Sequence, residues 1–419
     1  MNCCKALRPV IVWGLATFFY FYENLLNVSV AVMKPELTQA FGCSAEQFGS
    51  LAAYFFIAYG LMQIPAGILV DKFGPRKLVT VACAFCALGT AVFAYADVLW
   101  IAKIGRIFIG VGASFALVCC LKLAMRWFSV KYFAFFTGAS VTIGYLGSVV
   151  TFVGFEKFVS YVGWRELLQY GAVIGGILSI ILYLVVRDAP EDDNTTELTA
   201  DKPTELSICQ GLLVVVKNPQ VWLTSVYASL MFVPMMVFAG LWATPFLMEA
   251  YGYERALASS TASFAFLGFA VGAPCFGWVS DKIGKRNLPM YIASITVFAL
   301  ISYMIYLPIP IGLGKLLFFA LGFCSTGFVV AFSVVRESNP ILIAGAAIGF
   351  INTCNALGGA FLQPLVGKLL DLRLRAEGVI HIVPTLEDYR IVLAVLPISV
   401  VMAFVLLLFI KETNCKPVD

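Results

Sequence analysis

A short charged turn occurs twice in this chain, and it constrains the fold more than any other feature. Residues 67–78 read Gly-Ile-Leu-Val-Asp-Lys-Phe-Gly-Pro-Arg-Lys-Leu, and residues 277–288 read Gly-Trp-Val-Ser-Asp-Lys-Ile-Gly-Lys-Arg-Asn-Leu. Gly67, Asp71, Lys72, Gly74, Arg76 and Leu78 thus return 210 positions later, half of a 419-residue chain. Each copy closes one long apolar run and opens the next. The correspondence extends further. Arg126 matches Arg336 at the same offset, and Thr142 with Leu146-Gly147 matches Thr353 with Leu357-Gly358 one position later. A hydrophobic unit has been doubled.

Composition says which solvent the unit faces. Hydrophobic residues make up 61% and charged residues 12%, against about 25% charged in soluble domains. The chain therefore reads as an all-α, polytopic membrane protein. A hydrocarbon core about 30 Å thick takes roughly 20 apolar residues per helix. Twelve runs meet that length, at 9–31, 48–70, 78–96, 100–123, 132–155, 166–186, 220–245, 256–279, 288–307, 313–335, 343–367 and 389–410. They divide into an N-terminal bundle of six (1–186), a polar linker (187–219) and a C-terminal bundle of six (220–419), with 206–216 as a candidate interfacial helix. No small-residue cleavage site precedes Glu23, so the first run is expected to be retained.

Both repeated turns are rich in Lys and Arg, which assigns them to the cytoplasmic side and puts both termini there. The lipid bilayer, not nucleic acid, is the partner such clusters indicate. The twelve Cys lie mostly inside spans without framework spacing, and Cys83-x-x-Cys86 in mid-span reads as two small buried hydrophobes. The single His, His381, excludes a histidine metal site. No nucleophile–base pair or nucleotide loop is present, so an enzyme is not expected.

Glu23 is the sharpest local signal. It lies about 21 Å along the first span, a depth at which an ionised acid costs on the order of 3 kcal/mol. Thr17, Tyr20, Glu23, Asn24 and Asn27 recur at helical steps, making a polar stripe on an apolar helix. Such a stripe faces a cavity or bonds a neighbouring helix. The C-half has no ionisable group deep in its spans. It offers Asn352, Asn355 and Gln363 near one face of the eleventh run, with Trp242 near the outer end of the seventh. Trp242 either closes over a substrate or sits in the interfacial aromatic belt. Lys122 either snorkels to the interface or binds an anionic group.

The duplicated Gly-x-x-x-Asp-Lys-x-Gly-x-Arg resembles the signature loop of the major facilitator superfamily. Gly105-Arg106-Ile-Phe-Ile-Gly110-Val-Gly112 is similar to that family's fourth-helix motif. Phe21-Tyr22-Glu23, Phe48-Gly-Ser-Leu-Ala-Ala-Tyr54 and Gln63-Ile-Pro65-Ala-Gly67 look like a bacterial branch that includes phagosomal amino-acid and nucleoside transporters. No proline occurs in 132–155, unlike in the drug antiporters, and the sugar porters' motif after helix six is absent.

The resemblance implies two pseudo-symmetric six-helix bundles, a monomer in the bacterial inner membrane, alternating access, and no cofactor beyond a proton gradient. It implies gating roles for Asp71, Arg76, Asp281 and Arg286. It also implies that helices one and four both line the N-half cavity. Since Arg106 lies roughly 9 Å below the outer end of the fourth span, about the level of Glu23, it is the expected partner of Glu23 in proton coupling. Tyr20, Asn24, Asn27, Lys122, Asn352, Asn355, Gln363 and Trp242 are then the candidate substrate ligands. The expected function is proton-coupled uptake of an amino acid or similar small metabolite. Organic-anion exchange, carboxylate-siderophore transport and a non-transporting membrane sensor are the alternatives.

Overall fold

A computed structural model describes residues 2–128, 133–190, 214–340, 344–376 and 384–416. Among them there is no strand. The long helices are α1 (Asn2–Val32), α2 (Ala45–Phe73), α3 (Pro75–Ala94), α4 (Leu99–Trp127), α5 (Phe135–Phe155), α6 (Trp164–Val185), α7 (Pro219–Tyr251), α8 (Arg255–Ile283), α9 (Asn287–Tyr306), α10 (Gly312–Glu337), α11 (Ala344–Ala376) and α12 (Leu386–Leu407). Ten of them are long and apolar enough to cross a membrane by length and composition; α1 and α11, the two that carry the polar stripes, are not among those ten.

Several helices outrun the expected spans. α7 reaches Tyr251 and α11 reaches Ala376. Lys368 and Arg373, past the expected end of the eleventh run at 367, thus lie on helix. Residues 206–213 of the candidate interfacial helix, residues 191–205 of the linker and His381 lie outside the described residues.

The termini explain themselves locally. Ser44 caps α2 in a reciprocal box with Gln47, and Thr385 does the same for α12 with Asp388. At the first repeated turn Gly74 alone separates α2 from α3, with φ +81°, and Pro75 starts α3. A Cβ at Gly74 would come within 2.7 Å of the Asp188 carboxylate, so both conformation and space demand glycine there. Gly284 takes φ +71° at the second turn.

The doubling is visible in the packing. In the N-half the backbone of Gly110 on α4 meets the Phe55 carbonyl of α2; in the C-half Gly322 on α10 meets the Ala265 carbonyl of α8. Phe55 and Ala265 are 210 positions apart, the offset of the repeated turns. Small residues let helices approach where lipid supplies no hydrophobic drive. The turns are tied down in parallel as well. The amide of Arg76 donates to Asp188 just past α6 (2.8 Å), and the amides of Arg286 and Asn287 donate to Glu412 just past α12 (2.8 Å each).

The halves meet along two seams that the repeat relates, α2 against α11 and α5 against α8. On the second, Tyr145 meets Phe269 and Phe152 meets Phe266, with ring centroids 4.6 and 5.3 Å apart. On the first, Gly49 faces the Gln363 carbonyl, Gly367 faces the Ala45 carbonyl, and Thr353 donates to the Gly60 carbonyl at 3.0 Å. At the end of the bundle remote from the repeated turns, Asp371 accepts from the amides of Ala45 and Glu46. Lys34 pairs with Glu249 at 2.7 Å and Arg255 with Glu36 at 2.6 Å; Arg255 also donates to the Val32 carbonyl. The far end is closed by these contacts.

A Cβ at Gly367 would lie 2.1 Å from the Ala45 carbonyl oxygen. Gly367→Val should therefore cost the closed form about 1–3 kcal/mol, a shift of about 5- to 150-fold toward far-end opening. Spin labels at exposed Gln39 and Glu254, one in each half, should report a longer distance in the variant. An unchanged distance distribution would count against this closure.

Candidate functional site

Between the halves lies a cavity of about 110 Å³, room for several waters. Its N-half wall is built by Tyr20, Glu23, Asn24 and Asn27 of α1, Tyr59 of α2, and Tyr145 and Ser148 of α5. Phe232, Met235, Met236, Phe266 and Gln363 face them from the C-half. The stripe on α1 therefore faces a cavity. The helical periodicity that made it legible brings Tyr20, Glu23, Asn24 and Asn27 to one wall.

Glu23 is 3% exposed. Its Oε1 accepts from Asn24 Nδ2 at 2.8 Å, while the same Nδ2 also donates to the Tyr20 carbonyl. Among the described residues no basic side chain pairs with it. An ionised acid there has a neutral amide for company and no counter-ion, and taking up a proton removes the charge.

Arg106 is not that counter-ion, which corrects the sequence expectation. Its fully buried guanidinium donates to the carbonyls of Leu26 and Asn27, each at 3.0 Å, and sits 4.8 Å over the Phe55 ring. Sequence depth put the two groups at similar levels, but the fork geometry of Arg is satisfied by two successive carbonyls one turn further along α1. Arg106 is a clamp between α4 and α1.

The C-half residues separate. Gln363 lines the cavity; its Nε2 donates to the Met236 carbonyl at 3.2 Å. That carbonyl lies in the π-helical stretch Pro234–Trp242, which begins at Pro234. Asn355 is buried with Oδ1 unpaired, Asn352 is half-buried, and neither is among the lining residues. Trp242 is fully buried, donates to the Gln363 carbonyl, packs edge-on against Phe48 and carries the Lys34 ammonium 5.4 Å over its ring. It belongs to the far-end closure, neither in the aromatic belt nor on the cavity wall. Lys122 is half-buried on α4 and also off that wall. Tyr59 and Tyr145 were missed in the sequence, because one Tyr among many aromatics carries no mark of which way it faces.

At the repeated turns, Arg286 joins Asp281 (2.6 Å), Glu337 of α10 (2.6 Å) and Ser280. Arg76 instead donates its guanidinium to the Tyr183 carbonyl and stacks on that ring. The side chain of Asp71 lies outside the described residues. Burial raises the Glu412 carboxyl, but amide bonds from Arg286, Asn287, Asn414 and Thr413 outweigh it and hold it below its ordinary value.

A family model described as Major Facilitator Superfamily matches residues 12–371. A protein of Cupriavidus necator described as a probable sulfoacetate transporter is 24% identical over 86% of this chain and 87% of its own. The Homo sapiens lysosomal dipeptide transporter MFSD1 is likewise 24% identical, over 88% and 81%. A bacterial homologue of the human lysosomal transporter Spinster, solved inward-facing and occupied, superposes with a TM-score of 0.73 at 15% identity, covering 96% of this chain and 97% of the other.

Two outcomes follow from these contacts. Arg106→Leu removes two charge-assisted hydrogen bonds between α4 and α1, at about 1.5–3 kcal/mol each, and should lower the thermal unfolding midpoint in detergent; an unchanged midpoint would refute the clamp. A carboxyl held low contributes stability that is present above its unfolded pKa and lost as pH falls through the folded one. Wild type should therefore lose more stability on acidification below about pH 4.5 than Glu412→Gln, read as midpoint against pH. Parallel curves would exclude the cap.

Proposed function

Since this chain belongs to the major facilitator superfamily, we propose that it takes up an amino acid or similar small polar metabolite across the bacterial inner membrane in symport with protons. The relatives described above are transporters, not enzymes, and alternating access to a central site between two bundles is the mechanism open to such a carrier. One observation carries the finer reading: Glu23, buried mid-helix without a counter-ion, opens onto the cavity between the halves.

The coupling follows from charge. A carrier crossing with Glu23 ionised moves an uncompensated charge through a low-dielectric site. Binding a proton removes that cost for the loaded carrier. On the cytoplasmic side proton and substrate leave together, and the empty carrier returns with Glu23 ionised and hydrated in the emptied cavity. A substrate carboxylate brought beside Glu23 favours the protonated state, because two like charges repel while a protonated acid donates a hydrogen bond. Proton and substrate thereby promote each other's binding. With the basic repeated turns on the cytoplasmic side, the form described above is the one closed to the outside.

Among the described residues the cavity wall holds no Lys or Arg. That weighs against the organic-anion reading, which needed Arg106 and Lys122 on the wall. The dipeptide relative fits a solute with both an amine and a carboxylate.

In proteoliposomes with an acidic exterior, Glu23→Gln should abolish accumulation above equilibrium while leaving substrate counterflow in place. The loss should reach at least tenfold, about 1.4 kcal/mol of coupling. Accumulation by the variant that still collapses with a protonophore would overturn the assignment.

A further inference from the structure

One acceptor on the cavity wall has no partner. Gln363 is 2% exposed, lines the cavity, and its Oε1 makes no hydrogen bond. The orientation of its amide is fixed by chemistry: Nε2 reaches the Met236 carbonyl, which can only accept, so the oxygen must be the atom left over. The backbone on either side is also committed, since the Gln363 carbonyl takes the Trp242 indole and backs onto Gly49. Turning the amide to another partner would break its bond to the Met236 carbonyl. A buried acceptor left unmade costs about 1–3 kcal/mol, and such a cost is recovered when a ligand supplies the donor.

We propose that Gln363 Oε1 receives the substrate's amino group and selects for it. This rests on reading the cavity as an amino-acid site and deepens it by giving the bound solute a direction. The ammonium end sits on α11 of the C-half, and the carboxylate end faces α1 and α2, where protonated Glu23 and the phenols of Tyr20 and Tyr59 can donate. The apolar part of the wall, Val28, Ala52, Leu241, Met235 and Met236 with flanking Phe rings, fits an aliphatic side chain, while Asn24, Asn27, Tyr145 and Ser148 complete the polar part. Recognition of the amine and coupling to the proton are thereby divided between the two halves: the acceptor that reads the substrate lies on α11, and the acid that reads the gradient lies on α1.

The test measures binding to purified protein without any pH gradient, using L-leucine and 4-methylpentanoate, the same skeleton without its amino group. Wild type should bind leucine at least tenfold tighter. Gln363→Met keeps length and volume but removes the acceptor, and should bring leucine down to the affinity of 4-methylpentanoate while leaving the latter unchanged. Gln363→Glu restores an acceptor and should restore the preference. A merely structural role would weaken both probes together and leave their ratio intact. The proposal is overturned if Gln363→Met keeps the ratio, if 4-methylpentanoate binds wild type as tightly as leucine, or if neither binds. Because no gradient is imposed, this can fail while the coupling role of Glu23 stands, and the reverse.

Discussion

An acid buried halfway along a membrane helix, with an amide for its hydrogen-bond partner and no basic partner among the described residues, is the constraint around which the structure is arranged. The bilayer interior supplies no water to an unsatisfied group, so Glu23 requires a protein-lined space. The two six-helix bundles supply it by meeting along α2–α11 and α5–α8 and leaving a gap between. The polar face that makes α1 poor as an isolated span is the one turned into that gap. Its counterpart across the repeat, α7, carries Val233 where α1 has Glu23. Doubling gave the scaffold, and divergence between the copies gave one half the charge.

Holding this gap in one alternating state falls to backbone contacts more than to ion pairs. Gly49 and Gly367 let α2 and α11 touch carbonyl to backbone, and Asp371 seats on the free amides that open α2. Lys34–Glu249 and Glu36–Arg255 add polar ties at the rim, where partly exposed pairs contribute little each. Close packing is bistable rather than compressible, so such a seam is either shut or parted. That is the property a rocking carrier needs. Arg286, by contrast, ties α8, α10 and the segment past α12 into one unit within the C-half, which favours movement of the half as a rigid body.

Much of this was legible beforehand, for reasons that differ by residue. The repeated turn is a local pattern of Gly, Asp and Arg and survives in any context, so the two-bundle architecture followed from it. The α1 stripe was legible because a lone carboxylate among apolar residues has few tolerable surroundings. Arg106 was misread because depth along a helix gives a level and no azimuth, and because backbone carbonyls, invisible as partners in a sequence, can satisfy a guanidinium as well as a carboxylate does. Trp242 eluded assignment for a related reason: its seat depends on Phe48 in the other bundle and on Gln363, 121 positions further along its own. The paired caps by Asp188 and Glu412 occupy matching places past α6 and α12 but stand 224 positions apart rather than 210, and two acids just past a helix end look like ordinary solvated charge.

The central claim is that substrate and proton enter the same cavity together, with Glu23 as the group that takes the proton. It is tested most directly by adding substrate to purified protein in weakly buffered solution and following bulk pH. The account predicts net uptake approaching one proton per bound substrate in wild type, and none in Glu23→Gln at equal occupancy. Substrate binding that leaves the proton count unchanged in wild type, or uptake that persists without the carboxylate, would contradict it.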